Sequence, residues 1–186
     1  MSVDPRVRKV RLERDYQALL RLRGDVIDFD AISPPTPDRY ILKYRLKSLM
    51  EVRGNSPVYS SPGFVHKLEL RLPDYYPEYL TNQDIRFLTP PIFHTNVFSD
   101  GRICIRNYRP AESLAYFLMR IARMIQFDPA IVGEDSPANG EALSWYRAHK
   151  HMMPIDATRL PEVDGAFVPG RVTKAFRSGT IVKEGS

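Results

Sequence analysis

The sequence has very little cysteine and histidine, with one cysteine and four histidines among its 186 residues. A single cysteine excludes an internal disulfide framework and is typical of a protein from a reducing compartment. The scattered histidines and the one cysteine give none of the ligand spacings expected of a zinc site. We therefore predict no metal and no cofactor.

The sequence also lacks a long apolar run. No stretch approaches the roughly 18 residues needed to cross a bilayer, and the N-terminus has no hydrophobic signal region. These features predict a cytoplasmic protein with no membrane partner. With 43% hydrophobic and 26% charged residues, the chain is able to bury the core of a compact domain.

The one cysteine, Cys104, lies in a segment rich in turn residues. An unpaired cysteine is most often a small buried apolar residue. As a thiolate it is also a good nucleophile, and Asn96, eight residues earlier, is near enough in sequence to assist it. The thiol alone leaves both interpretations open.

The segment around Cys104 resembles the active-site segment of ubiquitin-conjugating enzymes. Those enzymes carry His-Pro-Asn, a short Asn/Asp-Gly turn and then Ile-Cys, with the Asn eight residues before the Cys. The matching residues here are His94-Thr95-Asn96, Asp100-Gly101 and Ile103-Cys104, preceded by Pro90-Pro91. Flanking segments match as well, namely Leu72-Pro73-Asp74-Tyr75-Tyr76-Pro77 and Arg109-Pro110-Ala111. The resemblance extends over approximately residues 5 to 150.

The resemblance implies an acyltransferase with a cysteine thioester intermediate. Cys104 would accept the C-terminal carboxyl of a ubiquitin-like modifier from an activating (adenylating) enzyme and deliver it to a lysine of a protein target. Asn96 would stabilise the oxyanion of each transfer, although an Asn before a turn also organises a loop through its own hydrogen bonds. His94, Asp100 and Gly101 would support the active-site loop.

The family also places an acidic or hydroxyl residue before its third helix, where it assists the incoming amine. Alignment with the start of the third predicted helix puts Ser136 at that position and Asp135 beside it. We favour Asp135, because a carboxylate is able to attract or accept a proton. The alternative is that both residues belong to an ordinary loop.

Positive charge is concentrated near the N-terminus, where residues 6 to 23 contain seven arginines and lysines against Glu13 and Asp15. A helical apolar stripe in the same segment predicts a helix with one apolar and one basic face. It consists of Leu12, Tyr16, Leu19 and Leu20. The ordinary interpretation of the basic face is a solvated surface. The resemblance instead implies contact with the activating enzyme, through Arg8, Lys9, Arg11 and Arg14.

The net charge of +5 would also fit a nucleic-acid-binding protein. Such binding weakens steeply with salt, but no nucleic-acid recognition motif is present in the sequence. We therefore predict no nucleic-acid partner.

The rest of the pattern predicts an α+β fold of the ubiquitin-conjugating type. It comprises an N-terminal helix, an antiparallel meander sheet packed on a central helix, and then a C-terminal helix and an irregular tail. Alternating residues predict strands over 40–47, 64–72 and 85–88, and His66 falls on an apolar face as a hydrogen-bonded core residue. Helical patterns follow Pro110, with a stripe from Leu114 to Ile125, and Pro137.

We expect residues 1–153 to form the conjugating-type catalytic domain and residues 154–186 to form a C-terminal extension. That extension is either docked and irregular, with a strand near 175–182, or a flexible partner-binding segment.

Three segments depart from the family pattern: Thr95 replaces a proline, Tyr108 stands near the usual Trp, and Glu78-Tyr79-Leu80 interrupts a proline-rich loop. Familiar ligases dock partly on that loop, so the sequence does not predict whether a ligase takes part. This divergence suggests a prokaryotic modifier system, some of which provide antiviral defence against phage. The alternative function is a catalytically silent relative that binds a modifier or an activating enzyme.

Overall fold

The computed structural model describes residues 3–105 and 108–163. Its helices are α1 (Pro5–Leu20), α2 (Leu114–Ile125) and α3 (Gly140–Ala148), and a 3-10 turn at Lys150–Met152 follows α3. Its strands are β1 (Ile27–Ile32), β2 (Arg39–Tyr44), β3 (Leu49–Arg53), β4 (Ser56–Tyr59), β5 (His66–Arg71) and β6 (Ile85–Phe87). The fold is therefore α+β, as predicted.

Four of the strands form an antiparallel sheet in the order β1-β2-β5-β6, and β3 and β4 form a separate hairpin inserted between β2 and β5. The predicted strands correspond to β2, β5 and β6, and their meander order is confirmed. Strand β1 and the β3–β4 hairpin were not predicted. The hairpin turns at Gly54, whose φ of 60° lies in the left-handed region that favours glycine.

The inner face of the sheet packs on α2, which is buried along most of its length. Tyr40, Leu42, Leu68 and Leu70 of the sheet are fully buried in the same core as the α2 stripe. Ser113 caps α2 by accepting a hydrogen bond from the Tyr116 backbone N–H. Although α2 is central and largely buried, its N-terminus and one edge reach the surface and can line a site there.

Helix α1 packs on this core through Leu12 and Leu19, and Asp4 caps its N-terminus. The third buried residue of α1 is Asp15, whose carboxylate accepts hydrogen bonds from Arg11, the Tyr76 hydroxyl and the Leu114 backbone N–H. This carboxylate joins α1 to the first residue of α2, where negative charge is favoured.

His66 is fully buried and its Nε2–H donates to the Leu46 carbonyl over 3.1 Å. Burial lowers the pKa of His66 to about 4. The prediction of a hydrogen-bonded core histidine is confirmed.

The first part of the C-terminal extension, residues 154–163, docks on the domain without regular structure. The Ile155 N–H donates to the Gln126 carbonyl (2.9 Å), and the Gln126 side-chain amide donates to the Thr158 carbonyl (2.6 Å). Leu160 and Val163 pack against the main core. The strand expected near 175–182 lies outside the described residues. None of the helices in the described ranges is long and apolar enough to cross a membrane.

Candidate functional site

A cleft of about 570 Å³ opens beside the only thiol. Its walls are α2, the segment 103–105 and the loop 130–135. Cys104 is partly exposed and lines this cleft together with Asn96 and Asp135. The thiol is therefore accessible rather than sealed in the core.

A tight turn positions Cys104. The Cys104 N–H donates to the Asn96 carbonyl (2.8 Å), and Val97 and Ile103 form a bridge across the turn. Gly101 has a φ of 83°, and a Cβ there would lie 3.5 Å from the Phe87 Cβ. The turn therefore favours glycine at this position.

Asp100 braces the same turn. Its carboxylate accepts hydrogen bonds from the Arg102 backbone N–H (3.1 Å) and from Arg102 Nε (2.6 Å). These bonds, the backbone bond first, hold the pKa of Asp100 below its usual value. Asp100 and Gly101 thus both shape the loop that carries Cys104.

Asn96 is buried and connects the cysteine segment to the loop opposite it. Its Oδ1 accepts hydrogen bonds from the Thr95 hydroxyl and the Gly133 N–H, each over 3.1 Å. Its Nδ2 donates to the Ile131 carbonyl over 3.0 Å. An amide nitrogen carries two N–H groups, and the second has no acceptor within residues 3–105 and 108–163. The side chain therefore organises the loop and has one further N–H donor that is not used within the described residues.

His94 holds the backbone of Asn96 from the interior. Its Nδ1 accepts the Asn96 N–H over 3.0 Å, and its ring packs edge-on against Phe127 with centroids 4.4 Å apart. Full burial lowers the pKa of His94 to about 3, so the ring is neutral. His94 does not line the cleft, so it is not placed to act as a base there.

Of the two residues predicted to assist the incoming amine, one lines the cleft and the other does not. Asp135 is exposed and lines the cleft, whereas Ser136 is exposed outside it. Glu134, which the sequence analysis did not single out, also lines the cleft. Its carboxylate accepts from Lys150 (2.7 Å) and Arg147 (3.2 Å), which lowers its pKa. Asp135 has no such cation among its described neighbours.

The four basic residues predicted on α1 divide into two pairs. Arg8 donates to the Leu72 carbonyl (2.7 Å), and Arg11 contacts Asp15 (2.6 Å) and the Pro110 carbonyl (2.8 Å). These two guanidinium groups anchor α1 to the rest of the domain. Lys9 and Arg14 are exposed. Arg11 and Asp15 are four residues apart, which is the spacing at which opposite charges pair along a helix. This spacing is the one feature of the sequence that could have indicated the internal ion pair.

Two arginines of α2 that were not predicted, Arg120 and Arg123, also line the cleft. Arg120 pairs with Glu112 (3.0 Å) and Arg123 pairs with Asp128 (2.7 Å). No group of three or more His, Cys, Asp or Glu side chains in the described ranges is arranged to hold a metal ion.

The chain was compared with known proteins. No protein-family model matches it. No curated protein matches it significantly.

Proposed function

We propose that this chain is a conjugating enzyme for a ubiquitin-like modifier. The observation that carries the proposal is that a partly exposed Cys104 lines the same cleft as Asn96 and Asp135. A nucleophile, an amide donor and a carboxylate in one cleft are the groups that acyl transfer from a thioester to an amine requires.

We also propose that the fold is of the ubiquitin-conjugating type. The support is the order of the elements: an N-terminal helix, an antiparallel meander, an extended segment bearing the cysteine, a central helix and a further helix. The motif residues His94, Asn96 and Cys104 lie between β6 and α2, and Asn96 and Cys104 line the cleft.

In the charging step, the Cys104 thiolate attacks the carbonyl carbon of the thioester that joins the modifier to its activating enzyme. A new C–S bond forms, and the thiolate of the activating enzyme leaves. Negative charge accumulates on the carbonyl oxygen in between. Asn96 lines the same cleft, and its second N–H is the donor we assign to stabilise that charge.

In the discharge step, a neutral lysine amine of the target attacks the same carbonyl carbon. The C–N bond forms, the C–S bond breaks and Cys104 leaves as the thiolate. The attacking nitrogen becomes positively charged as the C–N bond forms, so it must lose a proton to give the neutral amide. Asp135 is the carboxylate we assign to attract that amine and accept its proton, because Glu134 is held by Lys150 and Arg147.

The surface that would meet the activating enzyme is the exposed side of α1. Val7 and Val10 are 57% and 66% exposed there, and Lys9 and Arg14 lie on the same helix in solvent. Exposed apolar side chains among basic ones are typical of a protein-binding surface. Arg8 and Arg11 are not assigned to this surface, because their donors are used internally.

One observation favours the catalytically silent alternative. Both polar atoms of the Asn96 side chain already bind the backbone of the loop 131–133. A purely structural Asn96 would be compatible with a protein that only binds a modifier or an activating enzyme.

The test is a charging assay. The chain is incubated with ATP, an adenylating enzyme and a small glycine-terminated protein of the ubiquitin-like class. The proposal expects a covalent adduct that disappears with a thiol reductant, and Cys104→Ser should give a reductant-resistant ester or no adduct. A reducible adduct on Cys104→Ser would remove Cys104 as the acceptor, and no adduct on the unaltered chain would favour the silent alternative.

A further inference from the structure

A second concave site lies on the outer face of the four-stranded sheet, separate from the cleft at Cys104. It has a volume of about 360 Å³, and none of its lining residues also lines the cleft. All of its lining residues are polar or charged, namely Glu69, Arg71, Gln83, Arg86, Asp100 and Arg102. A site without apolar walls is suited to a strongly hydrated, charged ligand.

The centre of this site is the carboxylate of Glu69, whose side chain is only 4% exposed. It accepts a hydrogen bond from Arg39 (2.7 Å) and from Arg71 (3.1 Å), and Arg86 lies 3.5 Å away. Burial alone would raise the pKa of Glu69, but the arginines outweigh it and keep the carboxylate charged. Glu69 thus acts as a fixed support that holds several guanidinium groups in place.

The arginines around Glu69 lie opposite one another on neighbouring segments. Arg39 lies directly opposite Arg71 in the pairing of β2 with β5, and Arg86 lies opposite Arg102 in an isolated bridge. Like charges directly opposite on one face of a sheet are destabilising. Four arginines share two carboxylates, those of Glu69 and Asp100, so positive charge remains in excess. An added anion would relieve this repulsion.

The guanidinium groups also keep donors for such an anion. The side chains of Arg71 and Arg86 are 58% and 54% exposed. Each guanidinium has five N–H donors in a planar fork, more than its contacts with Glu69 use. Converging guanidinium forks match the several oxygens of a phosphate group.

We propose that this site binds a small phosphate-bearing anion, such as pyrophosphate or the diphosphate of a nucleotide. The concave shape and the small volume favour a compact ligand over an extended acidic polypeptide. The proposal does not depend on the thioester chemistry at Cys104.

The test is titration calorimetry of the full chain with inorganic pyrophosphate and, separately, with ADP, at constant ionic strength. The variants are Arg71→Gln and Arg86→Gln, since Arg102 also braces the turn before Cys104. The control is Arg53→Gln, which removes an exposed arginine from the separate β3–β4 hairpin. Urea unfolding without ligand identifies any variant that is not folded. If a site variant is not folded, it is replaced by Arg86→Lys, which keeps the charge.

The proposal expects saturable binding of pyrophosphate that weakens about tenfold or more in each site variant and is unchanged in the control. Competition between ADP and pyrophosphate, with tighter binding of ADP, would identify a nucleotide as the ligand. Two results would overturn the proposal. One is that the unaltered chain does not bind pyrophosphate, and the other is that the chain and its site variants bind it with equal affinity. Binding of a glutamate-rich peptide through Arg71 and Arg86, with no binding of pyrophosphate, would overturn it in favour of a docking site for an acidic protein.

Discussion

The Thr95 hydroxyl donates a hydrogen bond to Asn96 Oδ1 over 3.1 Å. The Gly133 N–H donates to the same oxygen, so the oxygen side of the amide is fixed and the nitrogen side is directed to the Ile131 carbonyl. A proline at this position would have no side-chain donor for this bond. Thr95 therefore orients the Asn96 amide.

The first prediction concerns Thr95→Val, which keeps the shape of the side chain and removes the hydroxyl. We expect a loss of about 1 kcal/mol in the free energy of unfolding, because a buried oxygen loses one donor. We also expect discharge to lysine to slow by about threefold to tenfold, since the amide is less firmly oriented. Single-turnover discharge of the charged protein and urea unfolding measure the two effects.

Thr95→Ser is the matched control, because it keeps the hydroxyl. A serine variant that loses as much discharge rate as the valine variant would show that the hydrogen bond is not what matters.

The second prediction concerns Asn96. In Asn96→Ala, discharge to lysine should fall by about a hundredfold, the usual cost of removing an oxyanion donor, and charging should fall less. Asn96→Asp keeps an acceptor for Thr95 and Gly133 but lacks the N–H donor. It should therefore be as slow in discharge as the alanine variant, although its second carboxylate oxygen would face the Ile131 carbonyl without a hydrogen bond. Rates of both steps, measured on pre-charged and uncharged protein, provide the comparison.

An Asn96→Ala variant that discharges to lysine at the normal rate would remove the proposed role in the transition state. An aspartate variant with normal discharge would do the same, because the loop contacts alone would then be sufficient.

The third prediction concerns the exposed side of α1. Lys9→Glu together with Arg14→Glu should slow charging about tenfold, because reversing charges at the rim of an interface mainly slows association. Discharge from protein that is already charged should not change. The measurement is the charging rate as a function of activating-enzyme concentration.

Arg8→Ala and Arg11→Ala serve as the contrasting pair. They should lower the free energy of unfolding by about 1–3 kcal/mol, since the Leu72 carbonyl and the buried Asp15 lose their donors. If the variant with Lys9→Glu and Arg14→Glu is charged at an unchanged rate, this face of α1 is a solvated surface and does not bind the activating enzyme.

The fourth prediction is a loss of stability in mild acid. Burial lowers the pKa of His66 to about 4 and that of His94 to about 3, whereas an unfolded histidine titrates near ~6.5. Below that pH the unfolded chain binds more protons than the folded chain, so stability falls as the pH decreases from 7 toward 4. Each histidine should contribute a loss of about 1–2 kcal/mol between about pH 7 and 5.

Urea unfolding across this pH range measures the effect. His66→Gln, which keeps a donor for the Leu46 carbonyl, should reduce the slope by about one proton, and the exposed His151→Gln should leave it unchanged. A stability that is flat between about pH 7 and 5 would contradict the buried, neutral state of these histidines.

The sequence predicted the elements whose side chains alternate or recur most clearly. Strands β2 and β5 bury Tyr40, Leu42, Leu68 and Leu70 at every second position, and α2 has a continuous apolar stripe. Strand β1 was missed because only Ile27 and Phe29 are buried before its alternation ends. The β3–β4 hairpin was missed because most of its side chains are only partly buried, and Pro57 lies within a strand.

Local spacing pointed to candidate residues that the fold brings together, whereas contacts between distant residues could not be predicted. The eight-residue spacing singled out Asn96 and Cys104, and both line the same cleft. The anchoring of Arg11, however, depends on the Pro110 carbonyl 99 residues away, which no local pattern contains. In the same way, the choice between Asp135 and Ser136 depends on which side of a loop faces α2.

The central claim is that Cys104 carries the modifier. The most direct measurement is intact-mass spectrometry of the chain after incubation with ATP, the activating enzyme and the modifier, followed by peptide mapping without reductant. We expect an increase equal to the mass of the modifier minus water, located at Cys104 and removed by a thiol reductant. An adduct at another residue, or a chain whose mass does not change while the activating enzyme is charged, would contradict it.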